Sequence, residues 1–207
     1  MQLQILDVDY IVNGRPMVRI FGRTEKGNSI CAIYDKFLPY FYVQPNEITE
    51  NKLKELGLNF EADEKFIPIG YRKKPTKMLK ITMTNPQDVP KIREQLEPFC
   101  SAIFEADILF KYRFLVDFRL RGMSWVDIES GYANSKTVTI PVHYVSKLTP
   151  ITKNENAPLR YMSFDIECLP EDPKRAPDSK QDKIIMIAIT FEPEFNDRKS
   201  IVLVAKP

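Results

Sequence analysis

The sequence predicts an α+β fold in which most strands run antiparallel. Two observations lead to this prediction. Residues 3–12 alternate apolar and polar side chains, and turn signals at residues 13–16 and 27–28 separate them from further extended segments, as in an antiparallel sheet. Residues 66–121 then pass through strand, helix, strand and helix patterns, which is an order typical of a compact α+β domain.

The first part of the chain is predicted to be an antiparallel meander. Its strands, in chain order, are residues 3–12, 17–24, 29–35 and 37–45. The segment Asn13–Pro16 is a strong turn signal between the first two strands, and residues 27–28 mark the next turn. Pro39 has no N–H to donate, so the fourth strand is expected at a sheet edge or a bulge.

Helices and strands mix in the following part. Helices are predicted at residues 46–56, 85–99 and 108–120, and strands at 65–73, 77–84 and 101–107. Gly57 and Gly122 are expected to end the first and third helices, and Asn85 is expected to cap the second. This succession predicts a ferredoxin/RRM-like part within the N-terminal domain.

The last third of the chain predicts the start of a second domain. Short strands are expected before a polar, proline-containing stretch at residues 149–160. Strands are then predicted at residues 159–169, 183–191 and 199–207, with a proline-rich loop at 170–182. Residues 183–191 are nearly all apolar, which is typical of a central strand covered on both faces. The expected domains are therefore 1–130 and 159–207, joined by a connecting segment at 131–158.

Composition excludes several classes of protein. The net charge of +2 requires any basic surface to be local. Three unpaired cysteines and a single histidine argue against disulfides, histidine-rich metal sites and histidine-dependent nucleophiles. No apolar run approaches the roughly 18 residues that span a bilayer, and the N-terminus does not resemble a signal peptide. A cytoplasmic location and no membrane partner are expected.

The segment "MSFDIECLP" contains two carboxylates that are separated by one residue. Side chains alternate faces along a strand, so Asp165 and Glu167 point the same way. Like charges on one face repel unless a cation lies near them, and hard oxygen ligands suit Mg²⁺ or Mn²⁺. Such an ion can activate water for phosphodiester cleavage. The alternative is an ordinary exposed strand face, because this triplet is common and two ligands alone make a poor metal site.

The chain resembles family B DNA polymerases of the archaeal type. The first exonuclease motif of that family is similar to "YMSFDIEC" followed by the proline-rich loop and "KIIMIAIT". Four earlier segments resemble its N-terminal domain in the same order: "ILDVDYIV", "FLPYFYV", "NPQDVPKIRE" and "EADILFKYRFLVD". The segments "GMSWVDI" and "APLRYMSFDIEC" are more similar in sequence to eukaryotic replicative relatives than to the archaeal members.

This resemblance implies that residues 159–207 begin a ribonuclease-H-like 3′→5′ proofreading exonuclease domain. Asp165 and Glu167 would be its catalytic metal ligands, with Mg²⁺ or Mn²⁺ as the cofactor. The other acidic ligands belong to later motifs that do not occur here, and the polymerase motifs are absent too. A piece of a longer polymerase or a split gene is therefore expected, and these residues alone are expected to be inactive.

The resemblance also implies a site in the N-terminal domain. Archaeal members read the template strand ahead of synthesis and stall at uracil. The candidate pocket residues are Tyr10, Pro39, Tyr40, Pro86, Val89, Ile108, Phe110 and Arg113. A flipped-out base needs a snug pocket with apolar walls and hydrogen bonds to its edge. Alternatively these aromatics are ordinary core residues and the prolines only shape turns, since eukaryotic relatives share "PYFY" without sensing uracil. Leu38 also departs from the archaeal pattern, which more often has arginine there.

A basic run follows the first helix. Residues 71–80 contain five cations and Tyr71, and cations interleaved with aromatics suit single-stranded nucleic acid. The alternative is a solvated hairpin.

The interpretation is an N-terminal fragment of a DNA-directed DNA polymerase that replicates and proofreads DNA. Its expected partners are single-stranded template, the primer 3′ end, and the rest of the polymerase chain or a second subunit. A sliding clamp is a further candidate partner. Two other functions stay open: a standalone single-stranded-DNA-binding or damage-sensing protein, and a nuclease subunit completed by a partner chain.

Overall fold

The structure, a computed structural model, describes residues 1–68, 70–133, 138–172 and 174–205. It divides into two compact units, Met1–Ala157 and Pro158–Pro207, called here the N-terminal and C-terminal units. Within the described ranges, no helix is long and apolar enough to cross a membrane.

The elements follow one another in chain order. The strands are β1 (Gln2–Asn13), β2 (Arg15–Thr24), β3 (Ser29–Tyr34), β4 (Tyr40–Gln44), β5 (Asn59–Lys65), β6 (Thr76–Thr82), β7 (Ala102–Phe104), β8 (Trp125–Ala133), β9 (Val142–Ile151), β10 (Tyr161–Leu169), β11 (Lys183–Phe195) and β12 (Arg198–Val204). The helices are α1 (Thr49–Glu55), α2 (Val89–Leu96) and α3 (Phe110–Asp117). Short 3₁₀ turns flank α2 at Pro86–Asp88 and Glu97–Phe99. The predicted α+β class is confirmed.

The first three strands and two later ones close a barrel in the order β1-β2-β3-β9-β8. Every pair in it is antiparallel except β3 with β9, which is parallel. Inward-facing side chains alternate along β2, where Val18 and Ile20 are fully buried while Met17 and Arg19 lie outside. Phe110 and Phe114 of α3 pack into the same core.

The predicted ferredoxin/RRM-like part is confirmed as an insertion between β3 and β8. Its order is β4-α1-β5-β6-α2-β7, and the strands lie in the sheet as β5-β6-β4-β7. Every adjacent pair is antiparallel. The helices cover one face, where Phe41, Leu53, Leu79, Ile81 and Leu96 form a buried cluster.

The prediction that residues 37–45 continue the meander was wrong. β4 leaves the barrel and lies between β6 and β7, so it is an inner strand rather than an edge. Pro39 is compatible with this position because it precedes the strand, and its carbonyl accepts a hydrogen bond from the Met83 N–H at 2.8 Å.

Two further boundaries differ from prediction. The strand predicted at 65–73 instead occupies Asn59–Lys65, and the described residues after it are irregular; Ile69 lies outside the described residues. The third helix ends at Asp117 rather than near Gly122, because Arg119 adopts a left-handed φ of 54°. Gly57 ends α1 as predicted, with a φ of 65°.

The C-terminal unit is a three-stranded antiparallel sheet in the order β10-β11-β12. β11 is the central strand, as its apolar sequence predicted. Much of the sheet is nevertheless exposed: Phe164 is 62% exposed and Leu203 is 52% exposed. The last strand was predicted to run to residue 207, whose structure lies outside the described residues.

Gly22 lies where β1 and β2 approach unusually closely. A Cβ at this position would lie 2.3 Å from the Gln4 carbonyl oxygen and 2.7 Å from Leu3 Cδ1. We expect Gly22→Ala to lower the free energy of unfolding by about 1–3 kcal/mol or more, because backbone atoms have to move. Urea unfolding followed by Trp125 fluorescence measures this change.

The matched control is Gly131→Ala in β8, where a Cβ would meet no atom within 4 Å. We expect that variant to change the free energy of unfolding by less than about 0.5 kcal/mol. Equal losses in both variants would contradict the steric explanation.

Candidate nucleic-acid interface

The eight pocket residues predicted from the sequence all line one cavity of about 290 Å³ in the N-terminal unit. They come from four separate parts of the chain: β1, the start of β4, the 3₁₀ turn leading into α2, and the segment from residue 108 into α3. The residues are Tyr10, Pro39, Tyr40, Pro86, Val89, Ile108, Phe110 and Arg113.

Six other residues complete the cavity wall and were not predicted. They are Pro90, Arg93, Glu105, Ala106, Asp107 and Leu109. Two of them could have been found by helical spacing, because Pro86, Val89, Pro90 and Arg93 repeat at the intervals of one helix face. The others come from the connection between β7 and α3, which reaches the cavity through a left-handed Glu105 with a φ of 63°.

Aromatic rings form one side of the cavity. The Tyr10 and Phe110 rings meet edge to face, with centroids 5.0 Å apart. Phe110 also stacks against Phe37 at 5.3 Å and belongs to the barrel core. The sequence left open whether Phe110 is a pocket residue or an ordinary core residue. In the structure it packs in the barrel core and also lines the cavity.

Polar groups of the cavity centre on Arg113, whose side chain is 8% exposed. Its Nη1 lies 2.6 Å from Glu105 Oε2, and its Nη2 donates to the Glu105 carbonyl at 3.3 Å. The guanidinium carbon lies 4.6 Å from the centre of the Tyr40 ring. Burial disfavours the charged form, but the Glu105 carboxylate and the Tyr40 hydroxyl raise the pKa of Arg113 above its ordinary value.

Tyr40 connects the Arg113 side chain to Asp117 at the C-terminal end of α3. Its hydroxyl donates to Asp117, with oxygen–oxygen distances of 2.8 and 3.0 Å, and Arg113 Nη1 lies 3.4 Å from the same hydroxyl. Burial, followed by the hydrogen bond to Asp117, raises the pKa of Tyr40. The phenol therefore stays neutral, and the ring is held in place at the cavity wall.

One donor of the buried Arg113 side chain is unsatisfied. Arg113 Nε is buried and has no hydrogen-bond partner in the described part of the chain. Buried polar groups normally have a partner, and an unsatisfied one needs an explanation.

The basic run at residues 71–80 is irregular over residues 71–75 and continues into β6. Its last cation, Lys80, lies with Nζ 4.7 Å from the Tyr40 ring centre, next to the cavity wall, and forms an ion pair with Glu61. Lys77 pairs with Glu50. Tyr71 is 89% exposed. The run therefore begins in solvent and ends beside a cavity residue.

Asp165 and Glu167 lie on β10 in the C-terminal unit, on one face and exposed. They oppose Ala188 and Met186 of β11, so apolar side chains are their direct partners. Across the described ranges, no cluster of three or more histidine, cysteine or acidic residues could hold a metal ion. The two carboxylates are donors of the kind that Mg²⁺ prefers, but they do not make a complete site by themselves.

A scan of protein families matches residues 101–205 to the exonuclease domain of DNA polymerase family B. Among curated relatives, "DNA polymerase 2" of Aeropyrum pernix is 30% identical over 91% of this chain and 25% of its own length. "DNA polymerase delta catalytic subunit" of Plasmodium falciparum is 28% identical over 84% of this chain and 20% of its own length.

A solved structure is similar along the whole chain. It is the family B DNA polymerase of the hyperthermophilic archaeon Pyrobaculum calidifontis, with a TM-score of 0.81 and 27% identity, covering 100% of this chain and 27% of that one. The chain thus spans about a quarter of the length of these archaeal relatives. On the match to more than half of its residues, the chain belongs to DNA polymerase family B.

Proposed function

We propose that this chain is the N-terminal part of a DNA-directed DNA polymerase with a 3′→5′ proofreading exonuclease, and that its N-terminal unit reads uracil in single-stranded template DNA. The observation that carries the proposal is the convergence of eight residues on one cavity from four distant parts of the chain.

The cavity supplies part of what a flipped base requires. Tyr10, Phe110 and Val89 give it apolar walls. Thymine differs from uracil by one methyl group, so a close wall rejects it by steric cost. One methyl is worth about 10- to 200-fold in discrimination, and a preference of that size is expected.

The C-terminal unit supplies part of an exonuclease site in this proposal. Asp165 and Glu167 contribute two carboxylate ligands for Mg²⁺ or Mn²⁺, and further ligands come from outside the described residues. A bound divalent ion supplies the activation of water for phosphodiester cleavage. The DNA partners are the template and the primer 3′ end, and the protein partners are the rest of the polymerase chain or a second subunit, with a sliding clamp as a further candidate.

Fluorescence anisotropy tests the base-reading role with two single-stranded DNAs that differ by one uracil in place of thymine. Salt is held fixed, because phosphate binding alone varies steeply with salt. We expect tighter binding to the uracil strand and a loss of this preference in Ile108→Ala. Ile108 lines the cavity but is 42% exposed, so this change alters the wall without removing a core residue.

Val116→Ala is the matched control, because Val116 lies on α3, is 69% exposed and does not line the cavity. It should keep the uracil preference of the unaltered chain. Equal affinity of the unaltered chain for both strands would contradict base reading and would favour a scaffold that binds single-stranded DNA without sensing uracil.

A further inference from the structure

A second cavity lies at the other end of α3 and has a different chemistry. It measures about 390 Å³ and is formed where the connection from α3 to β8 meets the end of β9. Three cations, Arg119, Arg121 and Lys153, line it together with the hydroxyl residues Ser124 and Thr152. No carboxylate residue is among the described residues that line it.

The two arginines carry uncompensated charge. Both are exposed, and neither guanidinium forms an ion pair with any residue in the described ranges. Lys153 pairs with Glu25, and its Nζ lies 4.6 Å from the centre of the Trp125 ring. The cavity therefore keeps a net positive charge after this pairing is counted.

Arg119 occupies a backbone position that favours glycine. The Leu120 N–H donates to the Leu115 carbonyl at 2.7 Å and the Arg119 N–H donates to the Val116 carbonyl at 3.0 Å, which is the Schellman arrangement at a helix end. Arg119 is the left-handed residue of this motif, with a φ of 54°. A bulky residue is costly there, and such an outlier points to a role for its side chain.

The rim of the cavity is held rigidly against the barrel. Met123 N–H donates to the Ile5 carbonyl at 2.8 Å, and the Ile5 N–H donates to the Ser124 carbonyl at 2.9 Å. Ser124 Oγ also donates to the Arg121 carbonyl at 2.7 Å. Trp125 Nε1 donates to the Glu155 carbonyl at 2.8 Å and fixes the indole below Lys153. The backbone of the two arginines is thus preorganised, which lowers the entropic cost of binding.

We propose that this cavity binds a phosphate group of a single-stranded DNA backbone through Arg119 and Arg121. Arginine guanidinium groups pair with phosphate in a bidentate way, and such contacts position a strand without reading its sequence. The inference rests on the proposed function only in taking DNA as the partner, and it does not require uracil to be read. The segments that line the two cavities lie at opposite ends of α3, a helix of eight residues that is about 12 Å long.

Salt dependence of binding to a short oligothymidylate tests this proposal in the full chain. We expect Arg119→Gly and Arg121→Gln each to weaken binding about two- to fivefold at fixed salt. Each should also reduce the slope of log K against log salt by about 0.7, the value for one lost single-strand phosphate contact. Arg119→Gly should leave the melting temperature unchanged or raise it by up to about 2–4 °C, because glycine suits the left-handed position.

The control is Lys54→Gln, which removes an exposed cation on α1 outside the cavity. Slopes that do not change in the arginine variants, or that fall equally in Lys54→Gln, would overturn the proposal. Inorganic phosphate is the second probe: phosphate binding that needs both arginines, with unchanged oligothymidylate binding, would assign the cavity to a free phosphate and contradict a strand contact.

The experiments can contradict the base-reading proposal and the phosphate-site proposal independently of each other. The ratio of affinities for uracil and thymine strands measures base reading, and the salt slope measures the phosphate contact. A uracil preference with unchanged slopes would overturn the phosphate site alone.

Discussion

Replacing Phe114 with alanine is expected to lower the free energy of unfolding of the N-terminal unit by about 3–5 kcal/mol. Phe114 is 0% exposed, and its ring centre lies 5.9 Å from that of Tyr34, 5.4 Å from Phe37 and 4.7 Å from Phe118. Alanine would remove apolar area from the core and the contacts between the rings, which add to stability beyond their area.

The surroundings are not expected to close the cavity that this change leaves. The chain just after α3 is tied to β1 by the hydrogen bonds of the Met123 N–H to the Ile5 carbonyl and of the Ile5 N–H to the Ser124 carbonyl, so the helix cannot shift easily toward the barrel. Urea unfolding of the full chain measures the loss. Trp125 is the single tryptophan in the sequence and is 4% exposed in the barrel, so its fluorescence reports on this unit.

Val116→Ala on the same helix is the control for helix propensity. Its side chain is 69% exposed, so the expected change is within about 0.5 kcal/mol. A loss in Phe114→Ala no larger than in this control would show that the aromatic cluster does not hold α3 on the barrel.

The sequence predicted local elements well and long-range pairing poorly. The strands β1, β2 and β3 with the turns between them, the cap at Asn85 and the glycine after α1 were predicted from local signals, and each was found. The departure of β4 from the meander and the parallel pairing of β3 with β9 were not. Cys31 of β3 pairs with Val142, more than a hundred residues later, and no local pattern specifies that partner.

The helix end at Asp117 was missed for a related reason. Stop signals are read from glycine, and here an arginine occupies the left-handed position while Gly122 lies further on. The cavity residues became visible from the resemblance of separate segments to one family, whereas Glu105 did not, because its role depends on the ion pair that brings it to Arg113.

Glu105→Gln is expected to lower the free energy of unfolding by about 2–4 kcal/mol, far more than a surface ion pair contributes. The reason is the asymmetry of burial. Glu105 is 44% exposed at its side chain, but the Arg113 side chain is only 8% exposed. Removing the carboxylate therefore leaves a buried guanidinium without its anion, and an uncompensated buried charge is strongly destabilising. Urea unfolding at neutral pH measures the change.

The control variant is Glu94→Gln, an exposed acid on α2, which should change stability by less than about 0.5 kcal/mol. The double variant Glu105→Gln with Arg113→Met separates the charge effect from packing. Because the unpaired charge is then gone, the double variant should be more stable than Glu105→Gln alone. Simple addition of the two single losses would contradict coupling of the pair. If the pair is coupled, Glu105 keeps Arg113 in place in the cavity wall. Because the double variant lacks both partners of this pair, it should also lose the uracil preference.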